Sequence, residues 1–289
     1  MSERNFRELL EVQWARGNFV CVGLDSEYSK IPKSAHRNQI ASTQYSFNVD
    51  IIDATKDTPC AYKLNIAFYL GDHGWLALQE TILHIRRVCP EVPVILDAKR
   101  ADIGNTNLGY VQETFELLQV DAITVHPYLG AEALQPFLER ADKGIIVLCR
   151  TSNPGAGEFQ DRVVSITPEE AERWSLPPGT TMPLYQLVAY RVSREWNKNG
   201  NCALVVGATY EEELREVRKI VGDMPILIPG IGAQGGDVEK TVTAGRDSRG
   251  WGIIVNSSRG IIFASKGPAF AKAARRETIK LRDLINRYR

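Results

Sequence analysis

The sequence predicts an α/β fold, a single (β/α)8 TIM barrel with an N-terminal helix and a long loop after the fifth strand, on three observations. Eight short runs rich in β-branched residues recur along the chain, at 19–25, 60–65, 92–99, 121–126, 144–150, 202–207, 225–229 and 251–256. Each is nearly continuous in apolar residues rather than alternating, as strands covered on both faces are. Their ends repeat at about 33 residues, the spacing of successive βα units. An open doubly wound sheet is the alternative, but it usually has fewer strands. Residues 1–289 read as one domain, because a barrel of about 250 residues fits this length.

The elements follow in order. Phe6, Leu9, Leu10 and Trp14 make the apolar face of a first helix, with Gly17 as its stop. The first run ends in Asp25, and the second carries Lys63 near its end. Residues 74–88 place Trp75, Leu78, Ile82, Ile85 and Val88 at helical spacing. The third run ends Leu96-Asp97-Ala98-Lys99-Arg100-Ala101-Asp102, and the fourth ends at His126. After the fifth comes the one irregular gap, from 150 to 184. It holds Asn153-Pro154-Gly155-Ala156-Gly157 and Leu176-Pro177-Pro178-Gly179, and a loop of that length is either functional or disordered. In the last helix Leu281, Leu284, Ile285 and Tyr288 form the apolar side. Its many lysines and arginines lack interleaved aromatics, so they read as a solvated face rather than a nucleic-acid patch.

Composition excludes several functions. Lysine plus arginine and aspartate plus glutamate both total 35, the net charge is zero and the pI is near 6.9. Such a chain has no global attraction to nucleic acid or to an anionic membrane. The start lacks the apolar stretch of a signal peptide, and no run approaches the roughly 18 residues of a membrane span. The five cysteines form no Cys-x-x-Cys pair; they read as small buried hydrophobes in a reducing compartment, and a cytoplasmic location is expected.

In such a barrel the carboxyl ends of the strands build the active site. Asp25, Lys63, Asp97 and Lys99 stand at three consecutive strand ends, and alternation turns Asp97 and Lys99 the same way. Asp102 lies just beyond. A buried ion array stabilises a fold poorly, so this one points to catalysis. Pro229-Gly230-Ile231-Gly232-Ala233-Gln234-Gly235-Gly236-Asp237 follows the seventh run and matches Gly-x-Gly-x-x-Gly. No first βα unit accompanies it, which argues against a dinucleotide fold. The loops after strands seven and eight of a barrel instead cradle phosphate. The eighth run leads into Asn256-Ser257-Ser258-Arg259-Gly260, whose hydroxyls and guanidinium suit that anion. The four histidines show no metal-ligand spacing, and no metal site is expected. His126 could line the site or pack in the wall.

Asp97-Ala98-Lys99-Arg100-Ala101-Asp102-Ile103-Gly104-Asn105-Thr106 resembles the active-site signature of the orotidine 5′-phosphate decarboxylase family, in its long bacterial form. Val22-Gly23-Leu24-Asp25, Lys63 with Ala67-Phe68, Thr151-Ser152-Asn153-Pro154-Gly155, the glycine-rich loop from Pro229 and Ser258-Arg259-Gly260 extend the likeness over most of the chain. Where the family has a proline after the strand-two lysine, this chain has Leu64.

The resemblance implies decarboxylation of orotidine 5′-monophosphate to UMP, the last step of de novo pyrimidine synthesis, with no metal or organic cofactor. It assigns Lys99, Asp97, Asp102 and Lys63 to catalysis. Asp25 and Lys63 would hold the ribose hydroxyls, Asp97 would lie beside the departing carboxylate, and Lys99 would stabilise and protonate the C6 carbanion. Ser152 would touch the pyrimidine, and Gln234 would link it to the phosphate. Arg259 would bind that phosphate, with Pro229 and Ser258 also against the substrate. Asp102, Ile103 and Thr106 would enter the partner's site in a homodimer. Two other readings stand beside this one. Sister enzymes that decarboxylate sugar phosphates share Asp-x-Lys-x-x-Asp but use Mg²⁺ held partly by a strand-two carboxylate, where this chain has Lys63. A non-catalytic phosphate-binding barrel would have no need of the charge array.

Overall fold

A computed structural model describes residues 4–71, 74–231 and 237–289. The strands are β1 (Val20–Gly23), β2 (Ala61–Asn65), β3 (Val94–Arg100), β4 (Ala122–Val125), β5 (Gly144–Arg150), β6 (Val163–Ser165), β7 (Thr181–Pro183), β8 (Cys202–Val206), β9 (Ile226–Pro229) and β10 (Ile253–Ser257). Eight of them close a parallel barrel in the order β1-β10-β9-β8-β5-β4-β3-β2, so the expected fold is the observed one. The barrel strands are buried along most of their length because side chains fill the interior and helices cover the outside. The fifth strand and the helix Gly74–Val88 have the bounds read from the sequence.

The first helix, Phe6–Ala15, fixes which end stays open. Asn5 caps it, its side chain accepting from the Glu8 amide, and Gly17 follows in the left-handed region at φ 77°. Its buried face reaches the starts of the strands. The Trp14 indole donates to the Ile253 carbonyl at 3.0 Å, and the Phe6 ring lies where a side chain on Gly144 would stand. The amino ends of the strands are therefore plugged, and the carboxyl ends remain free for a site. At the far end of the chain the helix Phe270–Tyr288 buries Phe270, Ala274 and Ile285. Its cations pair with carboxylates, Arg275 with Asp57 and Arg282 with Asp283, as a solvated face does.

The long segment after β5 carries structure of its own. β6 and β7 form an antiparallel pair around a short helix, Pro168–Trp174. Thr167 and Glu170 close a capping box on that helix. Ile166, Ala171, Trp174 and Met182 bury one another as a small separate core. Trp174 stacks on Tyr190 at 5.2 Å between ring centroids, which fastens the segment to the next helix, Leu184–Arg191. All five cysteines are buried and unpaired, and burial pushes the Cys21 thiol up to about 12. Among the described residues no helix is long and apolar enough to cross a membrane.

Candidate active site

Strand register brings the charges together. Gly23 pairs with Lys63 between β1 and β2, and Asn65 pairs with Asp97 between β2 and β3. Asp25, Lys63, Asp97 and Lys99 thus meet at one rim in alternating sign. Lys63 Nζ donates to Asp97 Oδ2 at 3.0 Å and lies 3.5 Å from Asp25 Oδ1, an ion pair without a hydrogen bond. Lys99 Nζ donates to Asp97 Oδ1 at 2.6 Å. Lys63 and Asp97 are buried, whereas the Lys99 side chain is 49% exposed. One lysine is locked inside the array and the other fronts the open space.

The electrostatics follow from that geometry. Burial alone would raise the Asp97 carboxyl, but Lys63 and Lys99 outweigh it and hold the group well below the ordinary carboxylate range. Burial likewise opposes the charge on Lys63, yet Asp97 and Asp25 push its ammonium above the usual lysine value. Asp97 is ionised and Lys63 is charged at neutral pH.

Asp97 and Lys99 converge, as alternation predicts, but the strand between them is not regular. Leu96 pairs with Ile123, and the next pairing is Arg100 with Val125, so Asp97, Ala98 and Lys99 together oppose Thr124 alone. Lys99 takes φ 50°, a left-handed conformation costing roughly 1–2 kcal/mol for a residue with a side chain. The bulge turns the Lys99 ammonium back onto Asp97.

A cavity of about 460 Å³ opens onto this array. Of the candidate residues, Asp25, Lys63, Asp97, Lys99, Ser152, Pro229, Ser258 and Arg259 line it. Two glycines permit the close approach. A Cβ on Gly23 would lie 1.8 Å from Ser258 Oγ, and one on Gly207 would lie 2.7 Å from Ser152 Cβ. Asp102, Ile103 and Thr106 do not line the cavity of their own chain. The Asp102 carboxylate accepts from the Ile103 amide at 2.7 Å, and its own amide donates to Asn107 Oδ1 at 2.9 Å. Ile103 and Thr106 project outward beside it, exposed. Gln234 lies outside the described residues. His126 is away from the cavity, its Nδ1 accepting from the Tyr128 amide at 3.3 Å.

Thr124, Gln160 and Asn256 also line the cavity, and the sequence assigns them no role. Thr124 Oγ1 donates to Asp97 Oδ1 at 2.9 Å. Gln160 braces the base of the segment after β5, its Oε1 accepting from the Thr151 amide at 2.8 Å beside Ser152. Asn256 closes the eighth barrel strand. Its Oδ1 and that of Asp25 are buried acceptors with no hydrogen-bond partner among the described residues, and both stand at the cavity. They suit the hydroxyls of a sugar, since a buried acceptor left unpaired is costly. Only Asn256, a polar residue ending an apolar run, left a mark in the sequence.

A closed parallel barrel with an ordered ion array at the carboxyl ends of its strands is the construction of a barrel enzyme. Comparison with known proteins narrows that class. Residues 18–274 match the orotidine 5′-phosphate decarboxylase / HUMPS family, and the chain belongs to it. It is 46% identical to the orotidine 5′-phosphate decarboxylase of Janthinobacterium sp. (strain Marseille), over 98% of both chains. Among solved structures it resembles the OMP decarboxylase of Leishmania donovani, with TM-score 0.77 and 34% identity over 96% of this chain and 99% of that one. It also resembles the UMP synthase of that organism, with TM-score 0.81 and 35% identity. There the likeness covers 99% of this chain but 56% of the longer one.

Proposed function

We propose that the protein decarboxylates orotidine 5′-monophosphate to UMP, the last step of de novo pyrimidine nucleotide synthesis, in one catalytic domain over residues 1–289. The observation that carries this reading is the half-exposed Lys99 ammonium, held 2.6 Å from an ionised Asp97 at the cavity. In the ring of strands β9 stands opposite β3, so Pro229, at the end of β9, faces Lys99 across the mouth. A substrate with its phosphate on Pro229, Ser258 and Arg259 would lay its ring toward Lys99. Gln234 would link ring and phosphate, Ser152 would contact the pyrimidine, and Asp25 and Lys63 would take the ribose hydroxyls.

The chemistry needs that placement. When the C6–carboxylate bond breaks, CO2 leaves and the electron pair stays in an sp² orbital at C6, with no adjoining π system to spread it. Lys99 stabilises that pair and then gives C6 a proton, becoming a neutral amine that solvent reprotonates. One charge contact at 4 Å and an effective dielectric of about 20 is worth roughly 4 kcal/mol. Enzymes lower barriers by about 8–23 kcal/mol, so binding of the remote phosphate and closure of the 153–157 loop supply much of the rest.

The working form is a homodimer in which Asp102, Ile103 and Thr106 complete the partner's site. Its support is that these residues turn away from their own cavity. Ile103 and Leu108 are each 60% exposed and Tyr128 is 85% exposed, and the helices Gly104–Val111 and Gly130–Leu138 beside them pack together. Exposed apolar side chains on adjoining elements suit an interface. Five unpaired buried thiols suit a reducing compartment, the cytoplasm.

Turnover in deuterium oxide tests whether the proton at C6 comes from an exchangeable donor, as a lysine ammonium is. UMP carrying deuterium at C6 is expected, because an ammonium exchanges its protons with solvent. UMP with only hydrogen at C6 would rule Lys99 out as the donor.

A further inference from the structure

We infer that Thr124 is a positioning residue that sets the direction of the Lys99 ammonium by bridging the Lys99 backbone and the Asp97 carboxylate. The inference rests on the decarboxylase reading and adds a part to it. Thr124 is the one β4 residue that faces the three-residue bulge of β3. An amide at a bulge loses its regular ladder partner. Here the Lys99 amide donates instead to Thr124 Oγ1, at 3.0 Å.

The direction of the hydroxyl follows. An amide can only donate, so Oγ1 must accept from Lys99, and its single proton is left to point elsewhere. It points to Asp97 Oδ1 at 2.9 Å, the same oxygen that Lys99 Nζ reaches at 2.6 Å. Backbone, hydroxyl, carboxylate and ammonium close a ring through one carboxylate oxygen. Thr124 is 1% exposed, so in the folded chain its hydroxyl is paired with protein groups rather than with bulk solvent. Its β-branched carbon also restricts χ1, which holds the hydroxyl at that bearing.

The ring explains how a lysine keeps a left-handed backbone at a strand end. The strained conformation is paired on its amide, and that amide is tied to the carboxylate the side chain must reach. Without the hydroxyl, the Lys99 amide and Asp97 Oδ1 each lose a buried partner. The backbone can then relax toward an ordinary strand, which swings Nζ away from C6. Asp25, Ser152, Ser258 and Arg259 lie on other strands or loops and are untouched.

The test compares wild type with Thr124→Val, which keeps the shape, and Thr124→Ser, which keeps the hydroxyl. Orotidine 5′-monophosphate turnover and UMP affinity are measured for each. Thr124→Val is expected to lose about ten- to a hundredfold in kcat, the effect of a lost hydrogen bond to a charged group, with UMP affinity within about twofold. Thr124→Ser should recover most of that loss. A wild-type kcat in Thr124→Val would overturn the inference, as would a serine variant no faster than the valine one. Should the valine variant fail to unfold cooperatively, Thr124→Cys replaces it, with a weaker donor and an expected kcat between wild type and one-tenth of it. Wild-type protein without turnover would instead remove the decarboxylase reading itself.

Discussion

Lys99→Ala is expected to lower turnover of orotidine 5′-monophosphate by about 10⁴-fold or more while leaving UMP bound within about tenfold. Loss of the acid and of the charge beside C6 acts only in the transition state, so kcat falls rather than affinity. The change should also spare the fold. Asp97 keeps Lys63 at 3.0 Å and Thr124 at 2.9 Å, and a half-exposed pair such as Lys99–Asp97 contributes only about 0–1 kcal/mol to stability. Thermal unfolding close to wild type would separate lost chemistry from lost structure. Unchanged turnover would remove Lys99 from the mechanism.

Two inactive variants should restore each other when mixed. Lys99→Ala and Asp102→Ala each disable every site of a homodimer, if Asp102 serves the partner's cavity. After subunit exchange a mixed dimer has one site with both defects and one with neither. Random exchange of equal amounts then yields roughly a quarter of the wild-type sites, set by the two-fold symmetry of the assembly. Assay of the mixture against either variant alone measures this. No recovery, under conditions where subunits exchange, would return Asp102 to its own chain's site or to a structural role. The structure favours recovery, because the Asp102 carboxylate stands at the start of the helix Gly104–Val111, outside its own cavity.

The barrel was legible because strands buried on both faces leave continuous apolar runs, as at Gly144–Arg150. The charged rim was legible for the opposite reason: Asp25, Lys63, Asp97 and Lys99 are anomalies at the ends of such runs. Thr124 was not. A single hydroxyl between Ile123 and Val125 reads as filler, and its role arises only where β4 meets a bulge in β3. Alternation also brought Asp97 and Lys99 together by too simple a route, since it cannot foresee a left-handed lysine. In the segment after β5 the strands have three residues each and the helix seven, too short for periodicity to register. Its Thr167-Pro168-Glu169-Glu170 cap was nevertheless present to be read. The proposed interface left little trace, because exposed Ile103, Leu108 and Tyr128 interrupt no pattern.

The lysine-aspartate array should decarboxylate orotidine 5′-monophosphate by itself, with no metal. The loss of that nucleotide's ultraviolet absorbance, followed with purified protein in excess EDTA, tests this. Steady turnover to UMP is the expected result, undiminished by the chelator. No turnover in EDTA, with activity appearing only on a sugar phosphate once Mg²⁺ is added, would contradict it and assign the array to metal-dependent chemistry.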